Sequence, residues 1–335
     1  MQTHLFLEEI RPYYRYADIA SEVQQWRWPL RLQVHTSSAT QHVFDPKREI
    51  SNRKAKEFKA QASEALSIAP ILAYFVLTVV LPRGLCIDAC NAFLKLCLIL
   101  ELLQVVPRGI VTPDRLHHAI KDHLDAFVRA HGQSSWTPKF HYSIHLPKML
   151  GTFGNLISCF VHERKHRLVK RYSGSVQNTA VAYEHGVLAE ITGQHLEDMA
   201  DPDFLSSRIG LINPRRPSRR LQEQLEYEFP GADLAAARAA RFSCFGVCCV
   251  GDVVLFPRHG GVAAGYVVFH ASVDGESISC VQLFDLLGPS AGGFASRWQP
   301  TDSNLLIETS EIMDTPLWTR RHAVVTTAMP LNMRI

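Results

Sequence analysis

Apolar residues recur at helical spacing over the first two thirds of the chain and alternate with polar ones after about residue 242, so helices followed by strands are expected. From Ser51, "SNRKAKEFKAQASEALSI" puts Ala55, Phe58, Ala62, Ala65 and Leu66 on one helical face, with Ser51 as the N-cap and Lys54, Lys56 and Lys59 on the other arcs. A second long helix is predicted in "CIDACNAFLKLCLILELLQVV", punctuated by Pro82-Arg83-Gly84 before it and Pro107-Arg108-Gly109 after it. A third starts at Thr112-Pro113-Asp114 and runs to Gly132, with Leu116, Ile120, Leu124, Phe127 and Val128 as its buried stripe.

Pro147, Gly151 and Gly154 then break the pattern into short helices or turns, before a longer helix over Phe160 to Tyr172 and a further helix or two in "TAVAYEHGVLAEITGQHLEDM". Past Phe242, "CCVGDVVLF", "AAGYVVFHASV" and "SISCVQLFDLL" are strand-like, the last two joined by the hairpin signal Asp274-Gly275. "NLLIETSEI" and "HAVVTTAM" supply further strands, and "RHGGVAAG" reads as a hairpin connection. The expected fold class is α+β. A mainly α-helical region is followed by a small all-β domain of barrel or sandwich type, with boundaries at 1–48 (irregular or truncated), 49–205 (helical), 206–240 (basic linker and helix) and 241–335 (β).

"LSIAPILAYFVLTVVL", Leu66 to Leu81, is apolar almost throughout. It is short for a membrane span, contains Pro70 and follows a charged amphipathic helix, so a buried core helix is expected rather than a membrane-associated protein. With 47% hydrophobic and 20% charged residues over 335 positions, the chain can bury a real core. The eight cysteines lack the spacing of a disulfide scaffold and the N-terminus lacks a signal-peptide core, which together suggest an intracellular protein.

A formal net charge of +3 is too small to argue for nucleic acid, so local clustering decides. The densest cluster is "CFVHERKHRLVKRY", where Glu163, Arg167 and Lys170 share one helical face flanked by Arg164, His166 and Arg171. A salt bridge from Glu163 to Arg167 at i+4 accounts for the acid on a solvated face. The sharper reading is a carboxylate that holds a divalent metal beside phosphates, but hard Mg²⁺ needs more than one carboxylate. The second cluster, Pro214 to Arg220, places Arg215, Arg216, Arg219 and Arg220 in what reads as a flexible loop, either lying along phosphates or serving as a solvated linker.

"FKAQASEALSIAPILAYFVLTVVLP" and then "TPKFHYSIHLPKMLGTFGNLISCFVHERKHRLVKRY" resemble the C-terminal half of CACTA-type (En/Spm-like) transposases. The matching positions are His141, His145, Leu146, Phe153, Gly154, Phe160, Glu163, Arg164, Lys165, His166 and Lys170. The resemblance implies the helical part of a ribonuclease H-like core that cuts and joins DNA with three acids and two metal ions, Glu163 standing as the last acid. It implies Mg²⁺ as cofactor of a complete transposase, DNA as partner through Arg164, Lys165, Arg167, Lys170 and Arg171, and a nuclear location. The residues before Ser51 are too few for the strands that carry the first two acids, and Asp18 and Asp45 sit in no β-run. The chain therefore reads as a fragment or degenerate derivative of a transposase that binds DNA without cutting it alone and needs no cofactor of its own. The alternative is a non-enzymatic nucleic-acid or protein interaction module, in which the β domain, with its SH3-like or BAH-like resemblance, recruits a protein partner.

Other constellations carry less. His141 and His145, like His162 and His166, have the i,i+4 spacing of zinc ligands, but no CxxC accompanies them and the first pair is expected to pack a turn. His117, His118 and His123 read as an exposed Asp/His-rich face, and Cys244, Cys248 and Cys249 as free thiols on a strand. No GxSxG or phosphate-loop motif is present.

Overall fold

In a computed structural model of the protein, the described residues are 2–30, 43–60, 62–106, 109–156, 183–200, 209–243, 246–289 and 294–329. The helices are α1 (Gln2–Ile10), α2 (Tyr16–Gln24), α3 (Pro46–Ala55), α4 (Ala62–Phe75), α5 (Ile87–Val105), α6 (Pro113–His131), α7 (Pro138–Ile144), α8 (Leu146–Phe153) and α9 (Tyr183–Ala200). Antiparallel strands follow, with one further helix, α10 (Arg219–Glu228), among them. The architecture is α+β.

The third predicted helix is α6 almost to the residue. Thr112 caps it, its Oγ1 accepting from the Arg115 amide at 3.2 Å, Pro113 fills the first turn, and Gly132 at φ 75° ends it. Leu116, Ile120 and Leu124 bury against Ile99 and Leu102 of α5 and Leu150 of α8. His123, read from its neighbours as exposed, is instead on the buried side: the helix turns it inward next to Leu124, where its Nδ1 donates to the Ala92 carbonyl of α5 at 3.1 Å.

Two stretches fold differently from their pattern. Residues 1–48, expected to be irregular, carry α1 and α2, and the aromatic residues that obscured any period are their packing groups. Phe6 stacks on Phe93 of α5, Tyr14 meets Phe75 and Trp26 meets Tyr74. The helix expected from Ser51 starts earlier and breaks. Asp45 caps α3 at the Lys47 amide, Pro46 opens it, and Lys56 turns left-handed at φ 52°. The buried Asn52 holds that break: its carbonyl oxygen accepts from the Lys59 amide at 3.0 Å while its amide donates to the Tyr16 hydroxyl at 3.1 Å.

The apolar run continues α4 through a π turn at Val76–Val80 and a 3₁₀ turn at Leu81–Arg83. Among the described residues, the helical stretch Glu64–Arg83 is long and apolar enough to cross a membrane, but 61% of it is buried inside the protein. Ile68, Ile71, Leu72 and Val76 pack there with Phe6, Ile10, Ile19 and Trp28, in the same cluster as Leu317 and Ala328 from the strands. Helices and sheet thus share one core.

The strands are β1 (Gly210–Ile212), β2 (Leu234–Ala237), β3 (Ala239–Arg241), β4 (Val247–Cys249), β5 (Val253–Arg258), β6 (Gly261–Val273), β7 (Glu276–Pro289), β8 (Ser296–Glu308), β9 (Leu317–Arg321) and β10 (Val324–Ala328). A small sheet has the order β1-β3-β4, and the large one β2-β6-β7-β8-β10-β9, with β5 also on β6. Asp274 and Gly275, at φ 50° and 90°, make the β6–β7 turn, and His259-Gly260 the β5–β6 turn; both need the left-handed region that such two-residue hairpins demand. Both faces of the sheet are buried at β5, Val254 and Phe256 lying in one cluster and Val253 and Leu255 in another.

The stretch expected to be a basic linker and helix does contain α10. Around that helix it is tied to the sheet, Arg215 exchanging two 2.8 Å backbone bonds with Ala236 of β2. The N-terminal segment also joins the sheet. Arg27 pairs its backbone with Trp318 of β9, and the buried Asp252 accepts from the Leu30 and Cys249 amides, each at 2.7 Å.

Candidate functional site

Glu163, Arg164, Lys165, Arg167, Lys170 and Arg171, the basic helix and its single acid, lie outside the described residues. The other four predicted DNA contacts lie within them. Arg215, Arg216, Arg219 and Arg220 are all exposed, on a segment whose path is fixed at one end by the Arg215–Ala236 bridge, in the middle by the buried Pro217 and at the other end by α10. Leu225, 2% exposed, seats α10 on the sheet. The arginines form a ridge on a folded surface rather than a free loop.

The charge order along α10 runs against its dipole. Arg219 and Arg220 sit in the first turn, at the positive end, while Glu226 and Glu228 sit in the last turn, at the negative end. Ser218 occupies the N-cap without a side-chain hydrogen bond to the first-turn amides. Only Arg219 of the four has a carboxylate partner among the described residues, Glu223 at 2.9 Å, and its side chain is 94% exposed, so that pair contributes little. Four exposed arginines within residues 215–220 therefore lie at or just before a helix N-terminus of the same sign.

A second constellation was not legible in the sequence. Cys248 of β4 places its Sγ 3.8 Å from Nε2 of His270 on β6, and Nδ1 of His270 lies 2.8 Å from the Ser279 hydroxyl, which is 2.9 Å from that of Thr309. A cysteine beside a histidine is the arrangement of a nucleophile and its base. Here Cys248, His270, Ser279 and Thr309 are all fully buried. Burial pushes the Cys248 thiol well above its ordinary value and lowers the His270 imidazole to about 4, so the pair rests as neutral thiol and neutral ring. This is a satisfied polar network inside the sheet, closed to substrate.

His141 and His145 pack on each other at the junction of α7 and α8, both exposed, with their Nε2 atoms 3.3 Å apart. Asp18 and Asp45 serve as helix-capping acids, Asp18 accepting from the Arg15 amide at 2.8 Å. Among the described residues no three His, Cys, Asp or Glu side chains gather where a metal would be held. The described cysteines Cys86, Cys90, Cys97, Cys248, Cys249 and Cys280 form no disulfide with one another. No family model matches the chain, and no curated protein and no solved structure is similar to it.

Proposed function

We propose that the protein is a DNA-binding derivative of a CACTA-type transposase, in which Arg215, Arg216, Arg219 and Arg220 contact phosphates and which does not cut DNA by itself. The carrying observation is the reversed polarity of α10. Arginines at the positive end of a helix forgo roughly 0.3–1 kcal/mol each, and a phosphate bound there restores that loss and supplies what the vacant N-cap lacks. The larger reading includes the helices as the helical part of a ribonuclease H-like transposase, Glu163 as a relic of its acidic triad and the β part as an SH3-like module. It also places the protein in the nucleus.

Binding is expected to be sequence-tolerant and salt-sensitive. With four phosphates engaged by the ridge, the variant carrying Gln at all four arginines should flatten the slope of log affinity against log salt by roughly 3–4. Mixed-sequence duplex titrated at several salt concentrations measures this, and an unchanged slope would sink the assignment of the ridge. Supercoiled plasmid incubated with the protein and Mg²⁺ is expected to stay intact; nicking abolished by Glu163→Gln would instead make the chain a competent nuclease.

A groove of ≈ 610 Å³ beside the ridge favours a second reading, a protein partner of the β part. Arg220 and Tyr227 of α10 face Phe269, Cys280 and Leu306 across it, three residues that form one row on adjacent strands.

A further inference from the structure

The strongest unassigned site is where the N-terminal segment joins the last hairpin. Gln25, Arg27, Tyr266, Trp318, Thr319 and Arg320 line a cavity of ≈ 330 Å³ there. Its size lies at the small end of ligand pockets. The backbone pairing of Arg27 with Trp318 fixes the two walls relative to each other.

One guanidinium of the cavity is oriented by an aromatic ring. Arg27 lies over the Trp318 indole, 5.1 Å from its centroid. Arg320 follows Trp318 by two residues on β9 and lines the same cavity as the Tyr266 ring. The Tyr266 and Trp318 rings meet edge to face at 5.2 Å, so the floor is rigid. Neither arginine has a carboxylate partner among the described residues. The acid nearest in sequence on this side, Glu22, is taken by Arg321, which also donates to Gln25 at 2.9 Å. Two like charges held together in a pocket repel unless an anion lies between them.

We propose that Arg27 and Arg320 form a binding site for the phosphate group of a phosphomonoester. Two guanidinium forks on the walls of one cavity that Tyr266 also lines suit the three free oxygens of a phosphomonoester better than the two of a carboxylate. The charge of the pair matches a phosphate dianion. This site is separate in residues from the arginine ridge and does not depend on it.

Isothermal titration of the full chain tests the site with three probes: inorganic phosphate, adenosine monophosphate, and a short single-stranded oligonucleotide with or without a 5′-phosphate. Phosphate and the mononucleotide are expected to bind, and Arg27→Gln and Arg320→Gln each to weaken that binding by about tenfold or more. Arg216→Gln should weaken duplex DNA, and Arg320→Gln should still weaken the mononucleotide when added to Arg216→Gln, so the ridge and the pocket fail independently. A preference for the 5′-phosphorylated oligonucleotide that disappears in both pocket variants identifies a nucleic-acid end as the source of the phosphate. Binding of the mononucleotide without that preference identifies a free nucleotide, and either outcome supports the site. No heat with phosphate or the mononucleotide, or equal affinity in Arg320→Gln, overturns it. Should Arg27→Gln unfold the chain, Arg320→Gln alone decides, since Arg320 is exposed and carries no ion pair among the described residues.

Discussion

Acidification from about pH 6.5 to about pH 4 is expected to remove several kcal/mol of folding stability through two buried histidines. Burial lowers both His123 and His270 from an ordinary 6.5 to about 4. For a base whose folded value is depressed, the neutral form belongs to the fold. The stabilisation is complete above the unfolded value and is lost as pH falls toward the folded one. Each shift corresponds to about 3 kcal/mol at full effect. The geometry explains the direction. Nδ1 of His123 already donates to Ala92, while its buried Nε2 has no hydrogen-bond partner, so a second proton there would be an unmatched buried charge. His270 meets a thiol and a hydroxyl, neither of which compensates a cation. Urea unfolding near pH 7 and near pH 4.5 measures the loss, and His270→Gln should reduce the dependence by roughly half. Equal midpoints at the two pH values would falsify the assignment of both rings as neutral.

Truncating Phe6 to Ala is expected to destabilise the protein by about 3–5 kcal/mol, as much as any single core change. Phe6 has no exposed surface and stacks on Phe93 with ring centroids 4.4 Å apart. The same change at Tyr13, 56% exposed on the neighbouring turn, should cost under about 0.5 kcal/mol. Equal, small effects at both positions would mean that α1 is an appendage and not part of the core shared by helices and strands. The comparison separates burial from sequence neighbourhood, because the two residues lie only a few positions apart.

The parts of this fold that could be read from sequence are those whose signals are local. Thr112 and Pro113 mark the start of α6 and Gly132 its end, and the apolar stripe needs only one periodicity to be seen. Asp274-Gly275 fixes the β6–β7 hairpin because few residue pairs accept two left-handed positions in a row. The misread parts depend on distant partners. Asn52 ends α3 through bonds to Tyr16 and Lys59, which no periodicity encodes. "LAAARAAR" is rich in a helix former, yet Leu234–Ala237 pairs with β6 and Ala239–Arg241 with β1 and β4, where small side chains let the strands fit. For the arginine ridge, the charge was legible and the anchoring by Ala236 was not. The cavity between Arg27 and Arg320 lay beyond sequence reading because the two residues are nearly 300 positions apart (320 − 27 = 293), and the Arg27–Trp318 pairing helps bring them together.

That pairing also sets an order on synthesis. Glu22 meets Arg321 across 299 residues, so at about 5–20 residues per second the N-terminal helices wait roughly 15–60 s on the ribosome for their last partners. During that interval, the cluster that holds Trp26, Trp28 and Ile68 lacks the cover of its later members Leu317 and Ala328. The nascent chain is thus a natural client for chaperones that hold apolar surface, and premature stops anywhere before β9 release a product with an open core.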